Sequence, residues 1–351
     1  MPNNLVPAAE LPLDDVDLDL VAALQLAPRA PVNVLAEVIG SSPSTITRRM
    51  TRLREENLLR VIGRLDWPLF ATAYPRLVWL RCLPGQVHEV AARIAELPQV
   101  QTIIVTTGSA DLYCSVYPLI GTDVLDLLTR RLPGLPGLVS VESQLVLRAE
   151  KVGHSWRLHR LTRAQETQLS AHGVRVTEPR ATRLSEFGEL ELRAVELLAA
   201  DGRVSAAEVA RELDISRSAA YRLTQSLLES GTVSPRVEIE PAALGHRLEA
   251  IFALTAEPSA IPEILDRLGR HPSARLVAMV AGSASVVHTA VFRDEQELAE
   301  FITAELGGYP GITAVDTRIA VQVVRRYWMS RDGAYLGAPV PGFPTRLLRP
   351  A

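Results

Sequence analysis

Ser42-Pro43-Ser44-Thr45-Ile46-Thr47-Arg48-Arg49-Met50-Thr51-Arg52-Leu53 is the stretch from which the rest of the chain can be read. Ser42 can accept from the free N–H groups of a first helical turn, and proline suits the first helical position. Ile46, Met50 and Leu53 recur at helical spacing and should face a core. Ser44, Thr45, Thr47, Arg48, Arg49 and Arg52 are then left on the outer faces, with small hydroxyls toward the N-terminal end and arginines beyond. Such a helix can lay its start against base edges and reach phosphates or a guanine with its arginines. Taken alone, a solvated amphipathic helix with a basic face has the same pattern.

The preceding residues favour the first reading. Asp17 to Leu26 carries Leu18, Val21, Ala22 and Leu24, an amphipathic first helix. Pro31 and Val32 open a short second helix through Leu35, Ala36, Val38 and Ile39, and Gly40-Ser41 turn tightly into Ser42. Helix, short helix, glycine turn and basic helix is the order of a helix-turn-helix. Leu58, Leu59, Val61 and Ile62 follow as a short strand, the wing of the motif.

The pattern returns 174 residues later. Val209-Ala210 repeats Leu35-Ala36, Ser216 repeats Ser42, Ser218 repeats Ser44, and Arg222 repeats Arg48. The same offset relates Gly282 to Gly108 and Pro310-Gly311 to Pro136-Gly137. A register held this long means two copies of one two-part unit. In the second copy Ser216, Arg217, Ser218, Tyr221 and Arg222 occupy the DNA-facing positions.

Between the helix-turn-helices, Arg76–Leu83 and Val100–Thr106 fit strands, with a helical pattern from Val87 to Leu97. Leu112–Tyr117, a helix capped by Asp123, and Val139–Leu147 complete a βαββαβ order, an α+β ferredoxin-like sandwich with its helices on one face. The predicted division is a flexible arm (1–13), a helix-turn-helix domain (14–66) and a sheet domain (72–149). A linker (150–183), a second helix-turn-helix (184–241), a second sheet domain (247–329) and a flexible Gly- and Pro-bearing tail (330–351) follow. The linker's His154, Arg157, His159, Arg160 and Arg163 fit a solvated face better than a DNA contact.

A chain of 351 residues has room for two to four domains, and 47% hydrophobic with 22% charged residues is ordinary for a globular protein. The net charge of −3 confines any nucleic-acid binding to a local patch. Arg48, Arg49, Arg52, Arg54, Arg60 and Arg64 supply one, against Glu55 and Glu56. Cys82 and Cys114, in apolar strand-like runs, read as small buried residues. The seven histidines form no metal-ligand or triad spacing, so no metal, cofactor or catalytic residue is expected. No segment has signal-peptide form or the length of a membrane span, so a cytoplasmic, nucleoid-associated protein is expected.

These residues resemble the leucine-responsive/asparagine-regulator (Lrp/AsnC) family of prokaryotic transcription factors. The likeness rests on Asp17, Leu24-Gln25, Leu35-Ala36, the Ser42 to Leu53 pattern, and Val100 followed by Thr107-Gly108-Ser109-Ala110-Asp111. The last is similar to the family's Gly-x-x-Asp effector loop. The resemblance spans residues 14 to 330 as two tandem copies, which implies a covalent pseudo-dimer paired through its sheet domains. It further implies double-stranded DNA as partner, an amino acid or another small molecule as effector, and self-association of chains. Thr107, Gly108 and Asp111, with Gly282 and Ser285, are the effector positions it assigns. Ser41 departs from the family's apolar preference, and Ser285 replaces the acid, so sensing is expected to be one-sided. With more arginines on the first recognition helix than on the second, the first is expected to carry more of the DNA affinity. Two other readings stay open: a sirohaem decarboxylase-like enzyme on this architecture, for which Val100-Gln101-Thr102-Ile103-Ile104 lacks a histidine, and a nucleoid-shaping protein with little sequence preference.

Overall fold

The computed structural model describes residues 13–173 and 186–344. The predicted arm (save Leu13), residues 174–185 across the end of the linker and the start of the second helix-turn-helix, and residues 345–351 lie outside it. In chain order the elements are α1 (Asp15–Leu26), α2 (Val32–Ile39), α3 (Pro43–Glu55) and β1 (Arg60–Leu65). Then come β2 (Arg76–Cys82), α4 (Val87–Ala95), β3 (Val100–Thr106), β4 (Leu112–Val116), α5 (Val124–Asp126) with a π-helical turn Leu127–Arg131, and β5 (Leu138–Lys151). After α6 (Arg163–Ser170), the second copy has α7 (Glu189–Ala200), α8 (Ala206–Leu213), α9 (Arg217–Glu229) and β6 (Val233–Glu238). It continues with β7 (Leu248–Ala256), α10 (Ile261–Arg270), β8 (Ala274–Ala281), β9 (Val286–Phe292), α11 (Glu295–Glu300) with a π-helical turn Phe301–Glu305, and β10 (Ile312–Arg326). Two short strands, β11 (Met329–Asp332) and β12 (Tyr335–Pro339), close the described chain. The described residues group into two compact units, one of residues 72–156 with 240–340, the other of residues 13–71 with 157–239 and 341–344.

In the helix-turn-helix unit, α3 starts as its sequence dictates. The Ser42 side chain accepts from the Thr45 amide at 3.1 Å, Pro43 sits in the first turn, and Ile46 and Leu53 are fully buried. The turn before it needs a left-handed residue. Gly40 takes φ +74°, and its counterpart Asp214 takes φ +54°, a conformation aspartate tolerates better than most residues.

The two helix-turn-helices are joined to each other. β1 and β6 pair antiparallel from Arg60↔Glu238 to Leu65↔Val233. The approach is close: a Cβ added at Gly63 would collide with the Leu198 carbonyl oxygen and the Val233 side chain. Arginines 174 residues apart then reciprocate. Arg29 donates to the carbonyls of Gly202 (2.5 Å) and Val204 (3.2 Å), and Arg203 donates to those of Pro28 (2.6 Å) and Ala30 (2.9 Å). Burial lowers the pKa of both guanidiniums, so each depends on these bonds. Replacing Arg203 by Ala is expected to lower the urea midpoint through a loss of about 1.5–3 kcal/mol, the range for hydrogen bonds to charged groups. An unchanged midpoint would show that the pairing rests on β1 and β6 alone.

The linker helix α6 belongs to this unit. The Leu158 amide donates to Gln25 (2.8 Å), and Gln165 Nε2 donates to the Val38 carbonyl (2.7 Å). Arg160 is held by Asp19 (2.8 Å) and Asp15 (3.0 Å).

In the other unit, β3-β4-β2-β5 of the first copy and β8-β9-β7-β10 of the second join edge to edge. β5 pairs with β8, and β10 pairs with both β7 and β3, so eight strands close on themselves without a free edge. Outside, α4 and the α5 segment cover Val78, Leu80, Val100, Ile103, Leu112 and Cys114. The second copy's helices cover Phe252, Leu254, Val277, Val286 and Phe292. Inside, Leu77, Trp79, Ile104 and Tyr113 of the first copy pack with Ile251, Ala278, Val280 and Val287 of the second. This third core is shared, so each copy depends on the other to bury it.

The predicted tail (330–351) is overturned over residues 330–339, which form β11 and β12 at the end of the sheet. Apolar periodicity fades there because polar groups do the anchoring. Arg331 and Arg326 both reach the buried Glu240 at 2.5 Å, and Arg326 also binds Glu249 at 2.7 Å. Trp328 Nε1 donates to the Pro98 carbonyl (2.8 Å), and Trp156 Nε1 donates to that of Pro272 (2.9 Å), so each copy's trailing segment clasps the other.

His288 is fully buried among Phe252, Phe301 and His271, and its Nδ1 meets the Leu276 carbonyl at 3.0 Å. Burial pushes its pKa down to about 4. An unfolded chain protonates this ring below pH ~6.5, whereas the folded chain does so only near pH 4. Stability should therefore fall as pH drops through that window, by about 3 kcal/mol at its lower end. Urea denaturation at several pH values should show a flatter slope for His288→Leu; identical slopes would assign the pH dependence elsewhere. Among the described residues, no helix is long and apolar enough to cross a membrane.

Candidate nucleic-acid interface and effector loops

α3 and α9 present their polar faces outward. Ser42, Ser44, Thr47 and Arg48 are exposed and Thr45 is half-buried. The Ser42 hydroxyl lies 2.9 Å from those of Ser44 and Thr45, and Thr47 Oγ1 donates to the Pro43 carbonyl at 2.9 Å. On α9, Ser216, Arg217, Ser218 and Arg222 are exposed, and Tyr221 is 58% exposed.

The arginines of α3 do not share one fate. Arg49 binds Asp14 (2.8 Å) and Asp17 (2.7 Å), and Arg52 binds Asp17 (2.5 Å) and Glu56 (3.2 Å). Donating to the Asp17 carboxylate and then to that of Asp14 raises the Arg49 pKa, and the Asp17 amide leads the groups that lower that of Asp14. Asp14 and Asp17 also form the capping box of α1. Arg49 and Arg52 thus tie α3 to the start of α1, against the expectation that both face DNA. The pattern Arg-Arg-x-x-Arg cannot reveal this, because the two aspartates lie more than thirty residues upstream. What remains is Arg48 and Arg54, exposed on α3, against Arg217 and Arg222 on α9, so the expected arginine excess of the first helix disappears.

The effector loops lie in the sheet unit. Gly108 takes φ +100°, and the Thr107 amide donates to the Ile319 carbonyl of the other copy at 3.0 Å. Asp111 Oδ2 accepts from the Cys82 amide at 2.7 Å, capping the end of β2. Burial and the Asp111 charge push the Cys82 thiol up to about 11. Ser285 does the same work in the second copy: its Oγ accepts from the amide of Ala256, the counterpart of Cys82, at 3.2 Å. The acid-to-serine change at 111 and 285 therefore preserves a shared strand cap. Gly282 is packed by the side chain of Gln144.

Sequence reading missed the side chains that reach these loops from the opposite copy. Ser109 Oγ donates to Asp316 Oδ2 (2.7 Å) and accepts from Arg318 Nε (2.7 Å). Ser283 binds Glu142, and Gln144 Nε2 donates to Ser283 Oγ at 2.9 Å. The 174-residue offset pairs Asp316 with Glu142 and Arg318 with Gln144, which was the available signal.

With this geometry in view, comparison with known proteins is specific. Residues 13–54 match the AsnC-type helix-turn-helix domain, and residues 77–156 and 249–328 each match the Lrp/AsnC ligand binding domain. Residues 192–236 match the IclR helix-turn-helix domain. The chain is similar to an uncharacterized HTH-type transcriptional regulator of Pyrococcus abyssi, 28% identical over 151 residues, covering 43% of this chain and 94% of that one. It is also similar to the HTH-type transcriptional regulator LrpA of Pyrococcus horikoshii, 26% identical over 132 residues, covering 37% of this chain and 94% of that one. It also shares the fold of the siroheme decarboxylase NirDL, with TM-score 0.60, 14% identity, and coverage of 95% of this chain and 96% of that one.

Proposed function

We propose, given that this chain belongs to the Lrp/AsnC family of transcription regulators and carries its two domains in tandem, that it reads operator DNA with α3 and α9 acting as a fixed pair. The observation that carries the reading is the joining of the two helix-turn-helices by β1, β6 and the reciprocal Arg29 and Arg203 bonds. A covalent pair replaces the two subunits that a one-copy regulator must bring together, so its DNA affinity does not wait on protein concentration. Ser42, Ser44, Thr45, Thr47 and Arg48, with Ser216, Arg217, Ser218, Tyr221 and Arg222, are the proposed contacts. The cytoplasmic nucleoid is the proposed site of action.

A small molecule bound by the sheet unit at the 107–111 and 282–285 loops changes DNA affinity by linkage, and DNA changes its affinity in return. Association of chains through the outer surface of the sheet unit completes the proposal.

The test compares affinity for fragments enriched by chromatin immunoprecipitation with affinity for random DNA, both at one salt concentration. A preference of a thousandfold or more is the range expected of a specific regulator. Equal affinities would favour a nucleoid-shaping role. The likeness to NirDL keeps an enzyme reading open to trial: loss of a carboxyl group from an iron-uroporphyrin-type tetrapyrrole on incubation with the protein would establish it.

A further inference from the structure

We propose that Arg318 and Trp79 form a carboxylate-binding site for the effector, present in one half of the sheet unit and absent from the other; this deepens the effector reading above and rests on it. Arg318 is 7% exposed. Its Nε donates to Ser109 and its Nη2 to Asp316 (2.6 Å). Its remaining nitrogen, Nη1, is buried and meets no acceptor among the described residues. The guanidinium carbon lies 3.9 Å from the centre of the Trp79 ring, and the indole Nε1 is also buried without an acceptor. Two buried donors without an acceptor, one of them cationic, thus belong to a guanidinium and the indole it stacks on, in a place where buried donors are ordinarily paired.

The missing partner is an oxygen-bearing group, and a carboxylate supplies two oxygens, one for the guanidinium and one for the indole. Arg81 adds a second cation, its Nη1 donating to the Ser109 carbonyl at 3.3 Å. Asp316, which accepts from both Ser109 and Arg318, offers a carboxylate to a ligand that bears an ammonium beside its own carboxylate.

The second half cannot do this. At the offset of 174, Ala253 stands for Trp79 and Gln144 for Arg318. Gln144 Nε2 is taken by Ser283 and Glu142 (3.0 Å), and the open atom is Oε1, an acceptor. The space is filled as well: a Cβ at Gly282 would lie 2.6 Å from Gln144 Cγ, whereas one at Gly108 would lie 3.6 Å from Arg318 Cγ. One half offers donors to an anion, and the other offers an acceptor beside a carboxylate.

Calorimetric titration of the full-length chain with succinate, L-alanine and the neutral succinamide tests this. At least one of the two carboxylates should bind at one site per chain, and succinamide should not. Arg318→Gln should weaken that binding about tenfold or more, and Trp79→Phe, which keeps the ring and loses the N–H, several-fold. Gln144→Ala should leave it intact. Thermal melts check folding, and should Arg318→Gln unfold, Trp79→Phe decides. Unchanged affinity in both variants, two equal sites per chain, or succinamide binding as tightly as succinate would overturn the assignment. A neutral or cationic molecule that binds wild type and Arg318→Gln alike would overturn this site while sparing the effector reading. No binding by any member of a wide metabolite panel would remove both.

Discussion

Arg48→Ala and Arg222→Ala are expected to weaken operator binding by similar amounts, about 1–3 kcal/mol each for a side chain that touches DNA. The equality follows from the ion pairs at the start of α1. Counting arginines gives α3 the advantage, but Asp14, Asp17 and Glu56 engage Arg49 and Arg52. α3 then presents Arg48 and Arg54, and α9 presents Arg217 and Arg222. The two residues are on different helices, so their effects should add, and the double variant should lose roughly 2–6 kcal/mol of affinity. Where the contact is to phosphate, each substitution should also reduce the log–log salt slope by about one. Arg49→Ala should behave differently, lowering thermal stability with little change in salt slope. Fluorescence anisotropy over a salt series measures all four proteins. A loss confined to Arg48→Ala would restore the first helix to dominance.

Glu240→Ala is expected to be the most destabilising single change, by roughly 3–5 kcal/mol, the range for breaking a buried ion pair from one side. Glu240 is 3% exposed, and Arg326 and Arg331 are 9% and 6% exposed. Burial by itself would raise the carboxyl pKa, but Arg326, Arg331 and Arg275 overcome it and hold the group at about 2. Removing the carboxylate takes from Arg331 and Arg326 the buried acceptor that both reach, while Arg331 keeps the carbonyls of Met329 and Ser330 and Arg326 keeps Glu249. β11 carries Arg331, so the C-terminal hairpin should loosen first, seen as faster amide exchange over residues 329–339 before global unfolding. A variant with wild-type stability and protection would show that β11 and β12 hold by strand pairing alone.

Much of this architecture is legible in the sequence because it is locally encoded. Ser42 with Pro43, Ser216, and Gly40 mark helix starts and a turn through bonds made within a few residues, and the offset of 174 exposes the duplication. What escapes depends on partners far along the chain. Arg49 reads as a DNA contact until Asp14 and Asp17 are seen beside it. For Asp111 the sequence leaves an effector ligand and a strand-end cap both open; its Oδ2 accepts from the Cys82 amide, and Ser285 performs the matching task on Ala256. The strands' faces are likewise decided by pairing: Val78 and Leu80 lie under their own helices, and Val280 faces the shared interior. Residues 330–339 escape for a different reason, since hydropathy cannot register arginines that anchor a hairpin to a buried glutamate. The proposed helix-turn-helix contacts lie within one helix each and can be proposed from sequence, whereas the Arg318 cluster appears only when opposite copies meet.

Hydroxyl-radical footprinting of the full-length chain on a fragment recovered by chromatin immunoprecipitation tests the paired reading most directly. With α3 and α9 acting together, wild type should protect two patches about one helical turn, or a multiple of it, apart. Either Arg48→Ala or Arg222→Ala alone should weaken both patches together. A single patch that disappears with Arg48→Ala and is untouched by Arg222→Ala would contradict it.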